Sequence, residues 1–227
     1  MEGPRKRIGP IVRILRRTYP GSRTALEFRS PLQILVATIL SAQCTDDRVN
    51  SLTPALFRKY GTAADFAAAD RTELETEIRP AGFFRNKAKS IVGAAGRIVS
   101  VYGGAVPGTM EELLTLPGVA RKTANIVLAA GFGRAEGIAV DVHVARLAGR
   151  LGLSREKVPE KIERDLLRIV PRGDWLDFNF MLVNHGRAVC RARKPLCAAC
   201  PLGALCPSAG QLCMARAKVG AGRKSSK

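Results

Sequence analysis

Lys122, Asp141 and a run of four cysteines are the residues whose types and spacing could do chemistry. Lys122 lies in LPGVARKTAN (116–125), where Pro117 and Gly118 turn the chain between a short helix and a longer one. Gly118 permits a tight backbone approach, and the second helix opens with unpaired N–H groups at the positive end of its dipole. Such a terminus grips phosphate through the backbone, without reading sequence. Arg121 and Lys122 add cations at the same place, and an amine held in positive potential is biased toward its neutral, nucleophilic form. Taken alone, the segment is equally an ordinary αα-hairpin and Lys122 a phosphate-binding lysine. Asp141 precedes the apolar-periodic VHVARLAGRLGL and fits a helix N-cap. A carboxylate at a helix start tends to stay ionised, which suits it to steady a developing cation or to move a proton. His143, two residues on, fits a structural or phosphate-contacting role.

Cys44 and Cys213 stand alone, whereas Cys190-x6-Cys197-x2-Cys200-x5-Cys206 crowds four thiols into 17 residues. In a reducing compartment such crowding points to a metal or iron–sulfur centre before disulfides. Four thiolates satisfy the iron ligation of a cluster. A zinc site with four cysteines competes, although zinc sites usually offer two close pairs and only Cys197 and Cys200 are close here. Arg191, Arg193 and Lys194 sit between two of these cysteines, placed to meet phosphates or to form a solvated loop.

The charge calls for a polyanion. Among 227 residues, 37 Lys and Arg face 19 Asp and Glu, a net +18. Residues 1–20 and 214–227 account for +10 of this, so the central body is basic in its own right. Nucleic acid is favoured over an acidic membrane surface, because no Trp-rich amphipathic stretch or lipidation signal accompanies the charge. No uncharged run is a plausible membrane span, and the start, MEGPRKRIGP, lacks the apolar core of a secretory signal. A cytoplasmic location is expected. Hydrophobic residues at 46% and charged residues at 25% exclude wholesale disorder.

The elements that must position these residues read as helices almost throughout. PLQILVATILSAQ (31–43) opens on a proline and is apolar nearly all round, as a helix buried on most faces should be. Further helices are expected at 46–60, 72–78, 84–102, 110–115, 121–131, 142–151, 158–169 and 174–188. Thr72 with Glu75 and Thr109 with Glu112 fit capping boxes, and Asp46 fits an N-cap. GFGRAEG (131–137) suits a crossing between two lobes, and 214–227 a disordered basic tail. The fold class is all-α.

These segments resemble a family. LPGVARKTAN is similar to the helix–hairpin–helix of DNA glycosylases, and GFGRAEGIAVD (131–141) to the glycine- and proline-rich loop and aspartate that follow it. The cysteine run and LSAQCTD (40–46) resemble endonuclease III. The likeness spans about residues 10–210, with four motifs in the family's order. One departure is Ala120, where the hairpin commonly carries a second glycine; alanine is tolerable there if its φ is negative.

The resemblance implies two helical lobes flanking a DNA-binding cleft. One would be a helical barrel (24–134) holding the helix–hairpin–helix (about 109–128); the other would be an iron–sulfur domain built from 1–23 and 135–213. It implies one [4Fe-4S] cluster on Cys190, Cys197, Cys200 and Cys206, with Cys44 and Cys213 outside it. It also implies a monomeric bifunctional glycosylase and abasic-site lyase acting on oxidised pyrimidines in double-stranded DNA. Lys122 would attack the sugar C1′, Asp141 would assist, and β-elimination would cut 3′ to the abasic site. Gly118, Ala120, Arg121, Arg191, Arg193 and Lys194 would contact DNA. Gln43 and Phe83 would fill the vacancy left by the extruded nucleotide, with Phe83 of GFFRNK (82–87) standing where relatives have an aliphatic wedge. The alternatives are a non-catalytic helix–hairpin–helix DNA-binding protein, a redox iron–sulfur protein, and a glycosylase with another base preference.

Overall fold

The computed structural model describes residues 3–211, which form two compact units, 24–136 and 3–23 with 137–211. Cys213 and the 214–227 tail lie outside the described residues. The described residues contain helices and no strand. No helix among them is long and apolar enough to cross a membrane.

Helix α1 (Pro4–Thr18) belongs to the second unit. The 24–136 unit carries α2 (Pro31–Leu40), α3 (Asp46–Lys59), α4 (Ala63–Ala67), α5 (Arg71–Glu77), α6 (Phe84–Tyr102), α7 (Met110–Leu113) and α8 (Arg121–Phe132). In α2 every residue from Ile34 to Leu40 is buried, and the helix packs against α3, α6 and α8 as the unit's central post. Ser30 caps it, its hydroxyl accepting from the Gln33 N–H at 3.3 Å, and Pro31 pre-sets the first turn. Around it Phe66, Leu74, Ile91, Ile98 and Leu113 are fully enclosed. Burying each such side chain contributes about 1.5–3 kcal/mol, which outweighs the weak propensity of short helices such as α4 and α7.

The other unit adds α9 (Val142–Arg150), α10 (Pro159–Leu167) and α11 (Trp175–Ala188) to α1. Ile8, Ile11, Val12 and Leu15 form the inward stripe of α1 and meet Leu147, Phe178 and Leu182 in a second core. Arg7 extends that stripe although it is charged. Its guanidinium donates to the carbonyls of Leu151 at 2.7 Å and Leu205 at 2.8 Å, satisfying acceptors at the end of α9 and beside Cys206.

Four local expectations need correction. Helix α2 stops at Leu40, because the chain enters a turn in which Gln43 takes a left-handed φ of 53°. Thr45, not Asp46, caps α3, since Asp46 already has helical backbone. Asp70, not Thr72, caps α5: its carboxylate accepts from the Glu73 N–H at 2.8 Å. At α7 only half of the box forms. The Thr109 hydroxyl accepts from the Glu112 N–H at 3.3 Å and donates to the Glu112 carboxylate at 2.7 Å, so that carboxylate serves the side chain of the cap rather than its backbone.

Candidate active site and nucleic-acid interface

The hairpin is built from the inside out. Leu116 and Val119 are buried and anchor the turn, leaving Pro117 and Gly118 exposed between them and Ala120 exposed just after. Gly118 has φ +77°, and a Cβ there would lie 2.4 Å from both Cβ and Oγ of Ser90 on α6. Both the backbone region and the available space demand glycine. Ala120 has φ −91° and ψ 169°, ordinary extended backbone, so the missing second glycine brings no strain. Ala120 is the N-cap of α8 yet has no side-chain acceptor, so the first turn of this 12-residue helix keeps N–H groups for an incoming anion. Lys122 projects from that turn and is exposed, and Arg121 is half-buried.

Next to the hairpin is a groove of about 290 Å³, lined by the end of α2, the start of α6 and the hairpin itself. Gln43, Phe83, Gly118 and Thr123 share its walls. Gln43 is exposed, and Phe83 is 63% exposed with φ 48°, which places its ring outside the core. Phe84, its neighbour, packs on the core instead. Among the described residues the non-glycine positions with left-handed backbone are Gln43, Phe83 and Lys194. Each carries a cost of order 1–2 kcal/mol, and such costs tend to persist where function requires them.

Asp141 belongs to the other unit, where it caps α9: Oδ1 accepts from the N–H groups of His143 and Val144, both at 2.8 Å. The carboxylate is half-buried. His143 has a structural contact, its Nδ1 lying 3.0 Å from Nη2 of Arg146, which in turn donates to the carbonyls of Cys190 and Gly186 at 3.1 Å.

Cys190, Cys197, Cys200 and Cys206 all line one pocket, walled by Leu147, Leu151, Val189 and Leu196. No disulfide joins the described cysteines. Burial, ahead of all other causes, pushes the thiols of Cys200 and Cys206 above their ordinary range, a state that a bound cation would reverse. No three described His, Cys, Asp or Glu residues converge as they would on a single ion. Four thiols around one pocket are a donor set for a thiolate-bound metal centre.

Arg150 ties this pocket to the basic loop, donating to Cys190 Sγ at 3.4 Å and to the carbonyls of Arg191 at 2.7 Å and Ala192 at 3.0 Å. Arg191, Arg193 and Lys194 therefore stand exposed on a loop whose root is fixed. His185, 1% exposed, sets its Nε2 3.4 Å from Cys200 Sγ and its Nδ1 3.0 Å from the Tyr19 hydroxyl; burial lowers its pKa to about 4, so it is neutral near pH 7.

The profile of the HhH-GPD superfamily of base excision DNA repair proteins matches residues 36–172, more than half of the chain. The chain belongs to that superfamily. Within it, the chain is 56% identical to endonuclease III of Synechocystis sp. over 209 residues, covering 92% of this chain and 95% of the relative. It is 44% identical to endonuclease III of Bacillus subtilis, covering 83% of this chain and 86% of the relative. A solved non-covalent endonuclease III–DNA complex superposes with a TM-score of 0.87 at 38% identity, covering 92% of this chain and 98% of that one. A trapped endonuclease III–DNA covalent intermediate superposes with a TM-score of 0.86, also at 38% identity, covering 91% of this chain and 97% of that one.

Within this HhH-GPD chain, Arg150 and His185 line the cysteine pocket and Lys87 lines the groove, placements that the motifs did not announce. Arg150 and His185 meet the cysteine loop only after folding. Lys87 had a readable signal, since it falls in register with the buried stripe Ala88, Ile91, Ala95 and Ile98 of α6, where a lysine has no reason to be unless its charge is used.

Proposed function

We propose that this HhH-GPD protein is a bifunctional DNA glycosylase and abasic-site lyase that removes oxidised pyrimidines from double-stranded DNA. The observation that carries the reading is the hairpin: a glycine-tight turn running into a helix start without a side-chain cap, with an exposed Lys122 in its first turn. The similar endonuclease III trapped as a covalent intermediate with DNA supports a covalent protein–DNA step.

The neutral amine of Lys122 attacks C1′ of the damaged nucleotide. The C1′–N bond to the base breaks, and the base leaves with its electron pair and takes up a proton. The C1′–O4′ bond then opens, O4′ takes up a proton given up by the amine nitrogen, and the opened sugar becomes an iminium on Lys122. The carboxylate of Asp141 stabilises positive charge on the sugar and accepts and returns protons at the amine. Loss of a C2′ proton then expels the 3′ phosphate by β-elimination, and water releases the enzyme. Gly118, Ala120 and Arg121 hold phosphate at the helix start, and Arg191, Arg193 and Lys194 hold it on the basic loop. Gln43 and Phe83 occupy the space left by the extruded nucleotide, which costs a few kcal/mol to remove from the stack.

Cys190, Cys197, Cys200 and Cys206 would hold one [4Fe-4S] cluster, which would anchor the loop through its thiolate ligands. We place the protein, as a monomer, in the bacterial cytoplasm among the nucleoid DNA.

A duplex containing one thymine glycol tests the activity. Free modified base and a strand cut on the 3′ side are expected, and both should vanish in Lys122→Gln. A protein that binds the duplex and forms neither product would be a binding module instead.

A further inference from the structure

Lys87 is among the most buried charged residues of the 24–136 unit, 5% exposed on the first turns of α6. Its ammonium donates to the Leu40 carbonyl at 2.7 Å and to the Ala81 carbonyl at 2.9 Å. Among the described residues these carbonyls are its hydrogen-bond partners; no carboxylate joins them, and the Cys44 side chain acts on its charge only electrostatically. Burying a cation without a counter-ion is expensive, and burial accordingly lowers its pKa. A neutral side chain of the same shape would fill the volume without that cost.

The two acceptors show what the charge is for. Leu40 is the last residue of α2, three residues before Gln43. Ala81 ends the short 3-10 turn just before Gly82 and Phe83. Gln43 and Phe83 both hold left-handed backbone, at φ 53° and φ 48°, and both line the groove that Lys87 also lines. One ammonium thus grips the roots of two strained turns whose lysine-bound carbonyls stand 47 and 6 residues from it in the chain. Such turns relax unless the surroundings over-determine them.

We propose that Lys87 is a positioning residue that locks the Gln43 and Phe83 turns into one rigid gap-filling unit, so that the two side chains enter the duplex together. This rests on the gap-filling reading of Gln43 and Phe83 given above. Lys87 touches no reacting atom in this role; it acts through the two turns.

The test compares Lys87→Met, which keeps the shape and loses the donors, with Lys87→Arg, which keeps charge and donors at the expense of shape. Extrusion is read by the fluorescence of 2-aminopurine placed beside a thymine glycol, and turn order by hydrogen exchange of segments 41–45 and 82–86 in the free full-length protein. Lys87→Met should reduce extrusion roughly tenfold, the size expected from losing charge-assisted hydrogen bonds, and should speed exchange in both segments together. Lys87→Arg should keep extrusion within about threefold of the parent. In a Gln43→Ala/Phe83→Ala background Lys87→Met should have no further effect on extrusion. If Lys87→Met extrudes normally and Lys87→Arg does not, shape alone matters and the proposal falls. If Gln43→Ala and Phe83→Ala impair extrusion but Lys87→Met leaves it intact, only the role of Lys87 is overturned. If those two variants extrude normally, the gap-filling reading fails and takes this role with it. Should Lys87→Met not fold, Lys87→Gln replaces it, and normal extrusion by that variant would likewise overturn the proposal.

Discussion

A Cβ on Gly118 would stand 2.4 Å from the Ser90 hydroxyl oxygen. The hairpin that presents Lys122 is thereby pressed against α6, the helix whose first turns also carry Lys87 and follow directly on Phe83. Gly118→Ala should lose roughly 2–4 kcal/mol, part from left-handed backbone and part from the collision. Urea unfolding of Gly118→Ala beside Gly118→Ala/Ser90→Gly separates the two: the double variant should regain the collision part and keep the backbone part. Equal stabilities for the two variants would mean that Ser90 sets no limit on the turn.

Strain at Gln43 and Phe83 predicts a trade between stability and function. Glycine relieves left-handed backbone but adds chain entropy, so Gln43→Gly and Phe83→Gly should change stability by no more than about 1 kcal/mol, most of it as a gain. Base release from a thymine-glycol duplex should nonetheless fall in both. Thermal melts run beside single-turnover kinetics check this, and a large loss of stability would show that the conformations are supported by packing of those side chains.

Much of this site was legible before folding, for identifiable reasons. The run PLQILVATIL announced a buried helix because nearly every position is apolar, and Asp141 announced a cap because a carboxylate directly precedes an apolar-periodic stretch. Pro117 and Gly118 marked the turn, and the observed φ of −91° at Ala120 shows why the departure from a second glycine is harmless. Competition between neighbouring caps was harder to read. Asp70 and Thr72 both fit a cap, as do Thr45 and Asp46, and the outcome depends on where the helix meets the core. Helix α4 shows no period in the sequence, because five residues are too few, although Thr62 and Asp65 form a reciprocal capping box. Lys87 and Arg150 bind carbonyls 47 and 41 residues away, pairings that no local pattern contains.

Asp141→Asn retains a good cap and removes the charge. Melting temperature and affinity for an abasic-site analogue should stay near the parent values, while base release slows by at least about a hundredfold, the usual scale for a lost acid–base or electrostatic group. Asp141→Ala should additionally lose about 1 kcal/mol of stability. Equal losses of binding and base release in Asp141→Asn would leave Asp141 as a cap and nothing more.

The basic loop predicts a salt signature. Log affinity for duplex DNA should fall linearly with log salt, and Arg191→Ala, Arg193→Ala and Lys194→Ala should each flatten the slope by roughly 0.9 if each removes one phosphate contact. Arg150→Met, which frees the loop root, should weaken binding while leaving the number of loop cations unchanged. Fluorescence anisotropy across a salt series measures both, and slopes unaltered in all three alanine variants would remove the loop from the interface.

The amine at Lys122 is tested most directly by borohydride reduction of the protein mixed with a thymine-glycol duplex, followed by mass spectrometry of the digested adduct. A stable protein–DNA cross-link is expected, carried on Lys122 and absent in Lys122→Gln. A cross-link on another residue, or strand cleavage that proceeds with no trapped species, would contradict the assignment of Lys122 as nucleophile.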